Sequence, residues 1–541
     1  MKKINQYKLL AGICLLSFLT ACDYERINTN PFEMTEEEGL MDGFAVGGLV
    51  TAMEQTVFPV GTQADDTDII NQYQTDYHLS ADCWSGFFGQ NNSTSWNSGR
   101  NNTTYFLIDG WIAGTYTRSY TNAFNSWKKL KVFSEKNDAP EIYALAQVLK
   151  ISAWHKTLEC FGPMPYTHAA DPTMNIPFDS EKAVYTAMFQ DLTDAIDVLT
   201  EKAVMEEYDA VYAGDTRKWV KYANSLMLRL AIRVRFADEE MAKKYAIQAV
   251  GHSIGVMTAR DDEAQMSAGA GITFRNNIEW LSETYEESRM GSSIFSYLMG
   301  YADPRLGAYF KPVDAASTAG QVAYDGKKYQ AVPAGHTFAP NDVYKLFSKP
   351  KIESNTPTYW LRASEVYFLR AEAALVWPAD FGSAEALYKQ GIEMSFQENG
   401  VTTSVDAYMN SGKAPMKHEF TGSYACSFPA PSTATAKFEG STEQKLEKII
   451  IQKWIALFPN GQEAWTEWRR TGYPKLNPVM VNNGSSQGAT KESGVRRMIY
   501  PTSFYQTEEG QAIYNAALLL LNNGQGGEDK SSTRLWWDCK R

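Results

Sequence analysis

The stretch LRASEVYFLRAEAALVWPADFGSAEALYKQGIEMS, residues 361–395, decides the fold. Small and apolar residues recur in both of its halves at spacings of three and four, which is the pattern of an amphipathic helix. The first half carries Tyr367, Ala371, Ala373 and Ala374. Ser383 is a typical N-cap for the second half, which carries Ala384, Leu387, Tyr388, Gly391 and Ile392. The stretch therefore predicts two helices packed as a hairpin, with small residues facing an aromatic ring.

Similar helical patterns recur along the chain. Asp179 or Ser180 is a plausible N-cap for one further helix, and Ser441 with Gln444 forms a capping box for another. Helix pairs of this length look like degenerate tetratricopeptide units, whose period is about 34 residues. We expect an all-α fold with a tetratricopeptide-like helical scaffold and little strand. The hairpins are predicted near 139–200, 216–250, 360–399 and 441–474.

Three long stretches lack a clear helical period and are rich in Gly, Ser, Asn, Thr and aromatic residues: 64–120, 255–351 and 413–440. Long irregular segments in a globular body are usually functional loops. They predict a loop-rich, irregular lobe that carries the ligand-binding site.

The N-terminus has the pattern of a lipoprotein signal peptide. Positive residues precede an apolar run that is too short to span a bilayer, which needs about 20 residues. Leu19-Thr20-Ala21-Cys22 follows, and Leu-x-Ala-Cys is the pattern after which the cysteine is acylated. We therefore expect a signal peptide over 1–21, lipidation of Cys22, a polar tether over 22–38 and a folded body over 39–541.

Composition excludes several classes of protein. The chain has 541 residues and a formal charge of −12, whereas nucleic-acid binding needs concentrated positive charge. The four cysteines after Cys22 are too few and too scattered for a disulfide scaffold, and none has the spacing of a metal site. We expect no nucleic-acid partner, no metal and no cofactor.

Searches for catalytic motifs give little. The segment Gly484-Ser485-Ser486-Gln487-Gly488 matches the nucleophile elbow, but it lacks the strand and helix that the elbow requires. Glu283 with Glu286 or Glu287 could serve as a glycosidase acid pair, although this spacing more often marks a solvated helical face. The residues alone therefore support no particular catalytic site.

Aromatic and amide residues are concentrated in the irregular stretches. Residues 73–120 hold eleven aromatic residues in 48 positions, well above the 13% of the whole chain. Exposed aromatic faces stack on sugar rings, while amide and guanidinium groups pair with hydroxyls. Most such aromatic rings fill cores, but those flanked by Ser, Gly and Asn are candidates for a binding site. The candidate ligand-binding residues are Trp84, Asn91, Asn92, Trp96, Arg275, Asn277, Trp280 and Tyr285.

Several segments together resemble one protein family. They are the Leu-x-Ala-Cys start, INTNP at 27–31, FGPMPY at 161–166, WVKYANSLMLRLAIR at 219–233, residues 365–373, and 452–474, which includes RRTGYP at 469–474. In this order and spacing they resemble the SusD/RagB nutrient-binding outer-membrane lipoproteins, and the resemblance covers nearly all of the mature chain. It implies a tetratricopeptide-like scaffold with an irregular ligand-binding lobe. The helical periods predict the same scaffold, and the stretches that lack such a period predict the same lobe.

The resemblance also implies a role. Members of the family cap a SusC-like TonB-dependent barrel at the cell surface, where they capture an oligosaccharide or oligopeptide and deliver it. They are not enzymes, and their ligand positions do not carry over by motif. We therefore expect an outer-membrane, cell-surface lipoprotein that binds an oligosaccharide. An oligopeptide ligand, a surface glycoside hydrolase and a structural or adhesion protein remain alternatives.

Overall fold

The computed structural model describes residues 44–59, 67–172, 175–204, 206, 208–268, 272–313, 322–337, 344–422 and 425–540. The predicted signal peptide, the tether and the lipidation site Cys22 lie outside these residues. No helix in the described ranges has both the length and the apolar character that crossing a membrane requires.

The described chain is mostly helical, as the periodicity predicted. Its helices in chain order are α1 Phe44–Val57, α2 Thr67–Tyr73, α3 Asp109–Tyr116, α4 Asn122–Asn137, α5 Pro140–Phe161, α6 Glu181–Glu201, α7 Thr216–Arg233, α8 Glu239–Gly251, α9 Asn277–Glu279, α10 Ser292–Tyr301, α11 Leu306–Tyr309, α12 Ala363–Val376, α13 Pro378–Phe381, α14 Ala384–Glu398, α15 Val405–Met409, α16 Thr442–Ala456, α17 Gly461–Thr471 and α18 Glu508–Gly524.

The strands of the described residues are short and form two-stranded antiparallel ribbons, β1 with β3, β2 with β6, β4 with β5 and β7 with β8. They are β1 Phe88–Gln90, β2 Ala264–Met266, β3 Ser288–Met290, β4 Val322–Tyr324, β5 Lys327–Tyr329, β6 Thr358–Leu361, β7 His418–Phe420 and β8 Cys426–Phe428.

The hairpin of α12 and α14 packs a ring against a glycine. A Cβ atom on Gly391 of α14 would lie 2.7 Å from the ring of Phe368 on α12, so only glycine admits the ring at this distance. Small residues do face an aromatic ring here, but the ring is Phe368. The neighbouring Tyr367 is half-buried instead, and its hydroxyl donates to the carbonyl oxygen of Thr258 at 3.2 Å.

Side-chain caps fix where the scaffold helices begin. Ser180 Oγ accepts the backbone N–H of Ala183 at the start of α6, and Ser383 Oγ caps α14 in the same way. Ser441 and Gln444 form the reciprocal capping box at the start of α16. Each such cap satisfies backbone donors that the first helical turn leaves unpaired.

A buried network of ion pairs joins the scaffold helices. Arg233 of α7 donates to Glu159 of α5 at 3.1 Å and to Glu463 of α17 at 2.5 Å. Arg470 of α17 forms paired hydrogen bonds with Glu372 of α12, both at 2.7 Å. All of these side chains are almost completely buried. Segments quoted for the family resemblance therefore supply the charges of α7, α12 and α17 in this network, and Glu159 adds that of α5.

The stretch over 64–120 contains more helix than its composition predicted. It includes α2, the π-helical segment Gln74–Asp82 and α3. Helices α4 and α18 lie outside the predicted hairpins. The stripe Ala123, Trp127 and Leu130 of α4 is buried, which is the usual reason for a helix to form in a globular body.

Candidate functional site

The β1–β3 ribbon brings two distant loop regions together. Gln90 pairs with Ser288, and Phe88 with Met290. The residues that follow β1 therefore lie beside those that precede β3. Asn91 N donates to the carbonyl oxygen of Glu287 at 2.9 Å, which extends the contact by one residue. The predicted sites over 73–120 and 275–285 are thus neighbours in the fold.

Glu287 lies at the centre of the polar contacts between these regions. Asn92 Nδ2 donates to its Oε1 at 2.8 Å, and Gln74 Nε2 donates to its Oε2 at 2.5 Å. Asn91 Nδ2 donates to the carbonyl oxygen of Glu286. Burial raises the pKa of Glu287, and the hydrogen bonds from Asn92 and Gln74 oppose that rise. Glu287 thereby fixes the orientation of Asn92.

Two amide oxygens in this region lack partners. Asn91 Oδ1 and Asn92 Oδ1 are buried and accept no hydrogen bond from the described residues. A buried acceptor without a partner costs free energy, on the order of 1–3 kcal/mol. A hydroxyl donor arriving at this place would remove that cost.

Arg275, Trp280 and Tyr285 form a layered cluster. The Arg275 guanidinium lies 4.2 Å from the centre of the Trp280 ring and pairs with Glu279 at 2.7 and 3.1 Å. The Tyr285 ring meets Trp280 edge-on, with ring centres 6.3 Å apart. Tyr285 is half-buried, and its hydroxyl donates to Asn71 Oδ1 at 3.1 Å. Arg275 and Tyr285 cover Trp280.

Burial contradicts the expectation that Trp84 and Trp280 present open ring faces. Trp84 is 6% exposed, donates from Nε1 to the carbonyl oxygen of Asn102 at 2.7 Å, and packs 4.9 Å from Trp465. Trp280 is 5% exposed. Asn277 is 3% exposed, and its Nδ2 donates to the carbonyl oxygen of Pro59 at 2.6 Å. These three side chains pack inside the protein, where Trp84 Nε1 and Asn277 Nδ2 find acceptors. Trp280 Nε1 and Asn277 Oδ1 are buried without a hydrogen-bond partner among the described residues.

Trp96 differs from the other two tryptophans. Its side chain is half-buried, so part of the ring is accessible, and it follows the short 3₁₀ turn Ser93–Ser95 directly after Asn92. The next residues, Asn97 and Ser98, have φ angles of 48° and 51°, a left-handed conformation that turns the chain sharply. Asn101 Nδ2 anchors the loop by donating to the carbonyl oxygen of Trp96 at 2.9 Å. We call Asn91, Asn92, Trp96, Tyr285 and Glu287 the loop patch.

The sequence does not predict the contact between Glu287 and Gln74. The sequence places Glu287 only in a candidate acid pair on a helical face. In the structure it lies between the π-helical segment Trp280–Thr284 and β3. Gln74 begins a different π-helical segment, and its contact with Glu287 spans 213 residues. β1 and β3 are too short to show the alternation of apolar and polar residues that would indicate paired strands in the sequence.

The candidate acid pair has neutralising partners. Lys311 and Lys349 each donate to Glu283 at 3.0 Å. Burial raises the pKa of Glu283, but the hydrogen bonds from Lys349 and Lys311 outweigh it and lower the pKa. A hydrogen bond from Lys345 likewise lowers the pKa of Glu286. A glycosidase general acid needs the opposite shift, a raised pKa. Of the three glutamates only Glu287 has it, and both of its carboxylate oxygens already accept hydrogen bonds, from Asn92 and Gln74.

A Ser–His–Asp chain does exist in the fold. His78 Nε2 lies 2.9 Å from Ser288 Oγ, and His78 Nδ1 lies 3.0 Å from Asp82 Oδ2. Ser288 and His78 have no exposed surface, and Asp82 is 2% exposed. The arrangement therefore has no access for a substrate and serves to hold β3 against the segment Gln74–Asp82. Ser486 of the elbow-like sequence lies in the 3₁₀ turn Ser485–Gln487.

Cysteine and metal chemistry add no further site. Cys83, Cys160, Cys426 and Cys539 are free thiols, and the first three are buried. The described residues contain no group of three or more His, Cys, Asp or Glu side chains that could hold a metal ion.

Comparison with known proteins identifies the family. The family model described as SusD-like, "Susd and RagB outer membrane lipoprotein", matches residues 26–538. A chitin-binding SusD homologue from Flavobacterium johnsoniae is 31% identical, with a TM-score of 0.81 over 92% of this chain and 99% of that one.

Other solved structures are similar to the same extent. A SusD homologue from Bacteroides uniformis is 31% identical, with a TM-score of 0.81 over 92% of this chain and 100% of that one. One from Bacteroides vulgatus is 30% identical, with a TM-score of 0.81 over 93% and 99%. A search of curated proteins gives no significant match. The chain belongs to the SusD-like family of SusD and RagB outer-membrane lipoproteins.

Proposed function

We propose that this protein captures an oligosaccharide at the cell surface and delivers it to a SusC-like TonB-dependent transporter in the outer membrane. Membership of the SusD-like family supports the general role. The observation that carries the ligand class is the composition of the loop patch. It combines the half-buried Trp96 and Tyr285 rings, each partly accessible, with the buried, unpartnered amide oxygens of Asn91 and Asn92.

These groups match the two surfaces of a sugar ring. The C–H face of a pyranose is apolar and stacks on aromatic rings, whereas its equatorial edge carries hydroxyl donors. Trp96 and Tyr285 supply apolar area, and the amide oxygens of Asn91 and Asn92 accept from hydroxyls. Arg275, which packs on Trp280 beside Tyr285, is already paired with Glu279 and so offers no uncommitted guanidinium to a carboxylate. The chemistry of the loop patch favours a neutral sugar over an acidic peptide.

The first probe is a series of chito-oligosaccharides, because the similar protein from Flavobacterium johnsoniae is described as chitin-binding. A glycan array of neutral and acidic oligosaccharides extends the screen, together with a library of oligopeptides. We expect binding of a neutral oligosaccharide whose affinity changes little between low and moderate salt, because stacking and hydroxyl pairing do not depend on net charge. If only peptides bind, and their affinity falls steeply with salt, the ligand is an oligopeptide and not an oligosaccharide.

The same samples test for catalysis. Each bound oligosaccharide is incubated with the protein and analysed by chromatography, and we expect it to remain intact. Release of shorter products would favour the alternative of a surface glycoside hydrolase.

Delivery requires a partner in the membrane. We expect affinity purification of the tagged, full-length protein from its native membranes to recover a large TonB-dependent β-barrel. Recovery of the protein without any barrel, under detergents that preserve outer-membrane complexes, would favour a structural or adhesion role.

A further inference from the structure

A cavity of about 560 Å³ lies beside β1, next to the loop patch. Its walls come from β1 and the loop after it, from the turn around His336, and from the segment that follows α17. Gln90 and Ser93 line this cavity, whereas the adjacent Asn91 and Asn92 contact Glu286 and Glu287. The volume is within the range of about 300–1,000 Å³ that is typical of small-molecule sites.

Three hydrogen-bonding groups at this cavity have no partner in the described part of the chain. Gln90 Oε1 is a buried acceptor without a donor. The phenol hydroxyl of Tyr105 and the indole N–H of Trp468 make no hydrogen bond to any described residue either. Tyr105 and Trp468 are both half-buried, so part of each ring remains accessible. The cavity thus combines the rings of Tyr105 and Trp468 with an acceptor on Gln90, the N–H donor of Trp468 and the hydroxyl of Tyr105.

The Trp468 ring is held in place by its neighbours. The Arg496 guanidinium lies 5.0 Å from the ring centre and donates to Asp538 Oδ2 at 2.8 Å. A Cβ atom on Gly494 would lie 2.8 Å from the ring edge, so glycine is required for this close approach. A fixed ring loses little conformational entropy when a ligand stacks on it.

The cavity wall carries little net charge. Asp538 neutralises Arg496. Burial lowers the pKa of His336 to about 4, so its imidazole is neutral at pH 7. The remaining charged residues of the lining are the exposed Lys475, Lys491 and Glu492. An anionic ligand would therefore meet no buried, uncommitted cation.

We propose that this cavity is a second sugar site, which binds a neutral pyranose unit between Tyr105 and Trp468 with its hydroxyls paired to Gln90, Tyr105 and the Trp468 indole. The inference rests on the proposed function, because it assigns a further saccharide site to a protein that captures oligosaccharides. The site is separate from the loop patch, since its lining includes neither Trp96 nor Tyr285.

The test observes Trp468 directly. The protein is labelled with fluorotryptophan, and the Trp468 and Trp96 fluorine resonances are assigned with Trp468→Phe and Trp96→Phe. Methyl glycosides of glucose, galactose, mannose and N-acetylglucosamine are titrated, with sialic acid as the acidic arm. We expect at least one neutral glycoside to shift the Trp468 resonance in a saturable manner.

The variant Tyr105→Phe is the matched test of the hydrogen bond. It retains the ring and the backbone conformation and removes only the unpartnered hydroxyl. We expect the apparent dissociation constant at Trp468 to rise roughly fivefold, which corresponds to the loss of one hydrogen bond. The melting temperature of this variant should be unchanged.

Two outcomes would overturn the inference. One is a Trp468 resonance that no neutral glycoside shifts, and the other is a response to sialic acid alone. If oligosaccharides shift only Trp96, the second site is wrong and the proposed function stands. If a glycoside shifts Trp468 but no oligosaccharide is captured in the array, the proposed function fails while the sugar site in the cavity remains.

Discussion

The tryptophans of the irregular lobe have different physical roles. Trp84 and Trp280 are buried, whereas Trp96 is only half-buried. We expect Trp84→Ala and Trp280→Ala to lower the free energy of unfolding by about 3–5 kcal/mol, because each leaves a cavity in a packed region. Trp96→Ala should lower it by less, about 0.5–1 kcal/mol, because part of the ring is already in contact with water. Urea unfolding measures all three, and an equal loss in Trp96→Ala would contradict this assignment.

At the residue scale, the sequence indicates which kinds of side chain form the site but not which of them are buried. Trp84 and Trp96 both have Ser and Gly among their neighbours in the chain. Trp84 is buried because it packs against Trp465 and donates a hydrogen bond to Asn102, and Trp465 is remote in sequence. The proximity of Asn92 to Glu287 likewise depends on a pairing across 195 residues. Local composition contains no signal for either contact.

Among the helices, the buried ion-pair network makes a strong prediction. Burial raises the pKa of Glu467, but Arg470 and Lys453 outweigh it and hold the pKa well below its usual range. We expect Arg470→Leu to lower the free energy of unfolding by about 3–5 kcal/mol, because Glu372 and Glu467 lose a partner while they remain buried. Thermal unfolding followed by circular dichroism measures this loss.

An exposed ion pair supplies the control for that variant. Lys243 and Asp380 lie 2.8 Å apart with both side chains partly exposed. Exposed pairs contribute little, because water solvates both charges. We expect Lys243→Leu to leave the melting temperature almost unchanged. A similar loss in both variants would mean that the network has no special role in holding the helices together.

The helices themselves were the most predictable elements. Their period, and the caps at Ser180, Ser383 and Ser441, are local features that act within a few residues. The short ribbons were not predicted, because strands of three or four residues give almost no alternation to read. The charges of the network were visible in the quoted segments, but their pairing depends on how α7, α12 and α17 meet.

For the whole molecule, the C-terminal segment predicts a pH dependence of stability. Both oxygens of Glu181 accept the backbone N–H of Trp536, at 3.1 and 3.0 Å. Burial raises the pKa of Glu181 to about 8. An unfolded glutamate ionises near pH 4.3. The folded state therefore binds more protons between these values, and the contribution of Glu181 to stability, complete below about pH 4, is lost as the pH rises to about 8.

The variant Glu181→Gln tests that dependence. Its amide oxygen still accepts from Trp536 N but does not titrate. We expect the melting temperature of the unmodified protein to fall more steeply between pH 5 and pH 8 than that of the variant. If the melting temperatures of the two proteins change equally with pH over this range, Glu181 has an ordinary pKa.

Membrane attachment is the second prediction at this scale. We expect Cys22→Ala to release the protein into the soluble fraction, because acyl chains on the predicted lipidation site would supply the anchoring free energy, at about 0.8 kcal/mol per buried CH₂. Cell fractionation in a strain without the barrel partner measures the effect. Continued retention in the outer membrane would contradict lipidation as the anchor.

Sugar capture at the loop patch is tested most directly by calorimetric titration with the best oligosaccharide from the array, compared between the unmodified chain and Trp96→Ala. Phe381→Ala, which removes a half-buried ring on α13 of the scaffold, is the control. We expect Trp96→Ala to weaken binding about thirtyfold, equivalent to about 2 kcal/mol, with little change in the melting temperature. The control should bind as the unmodified protein does. Equal affinity in all three proteins, or no oligosaccharide binding at all, would contradict capture of a sugar at the loop patch.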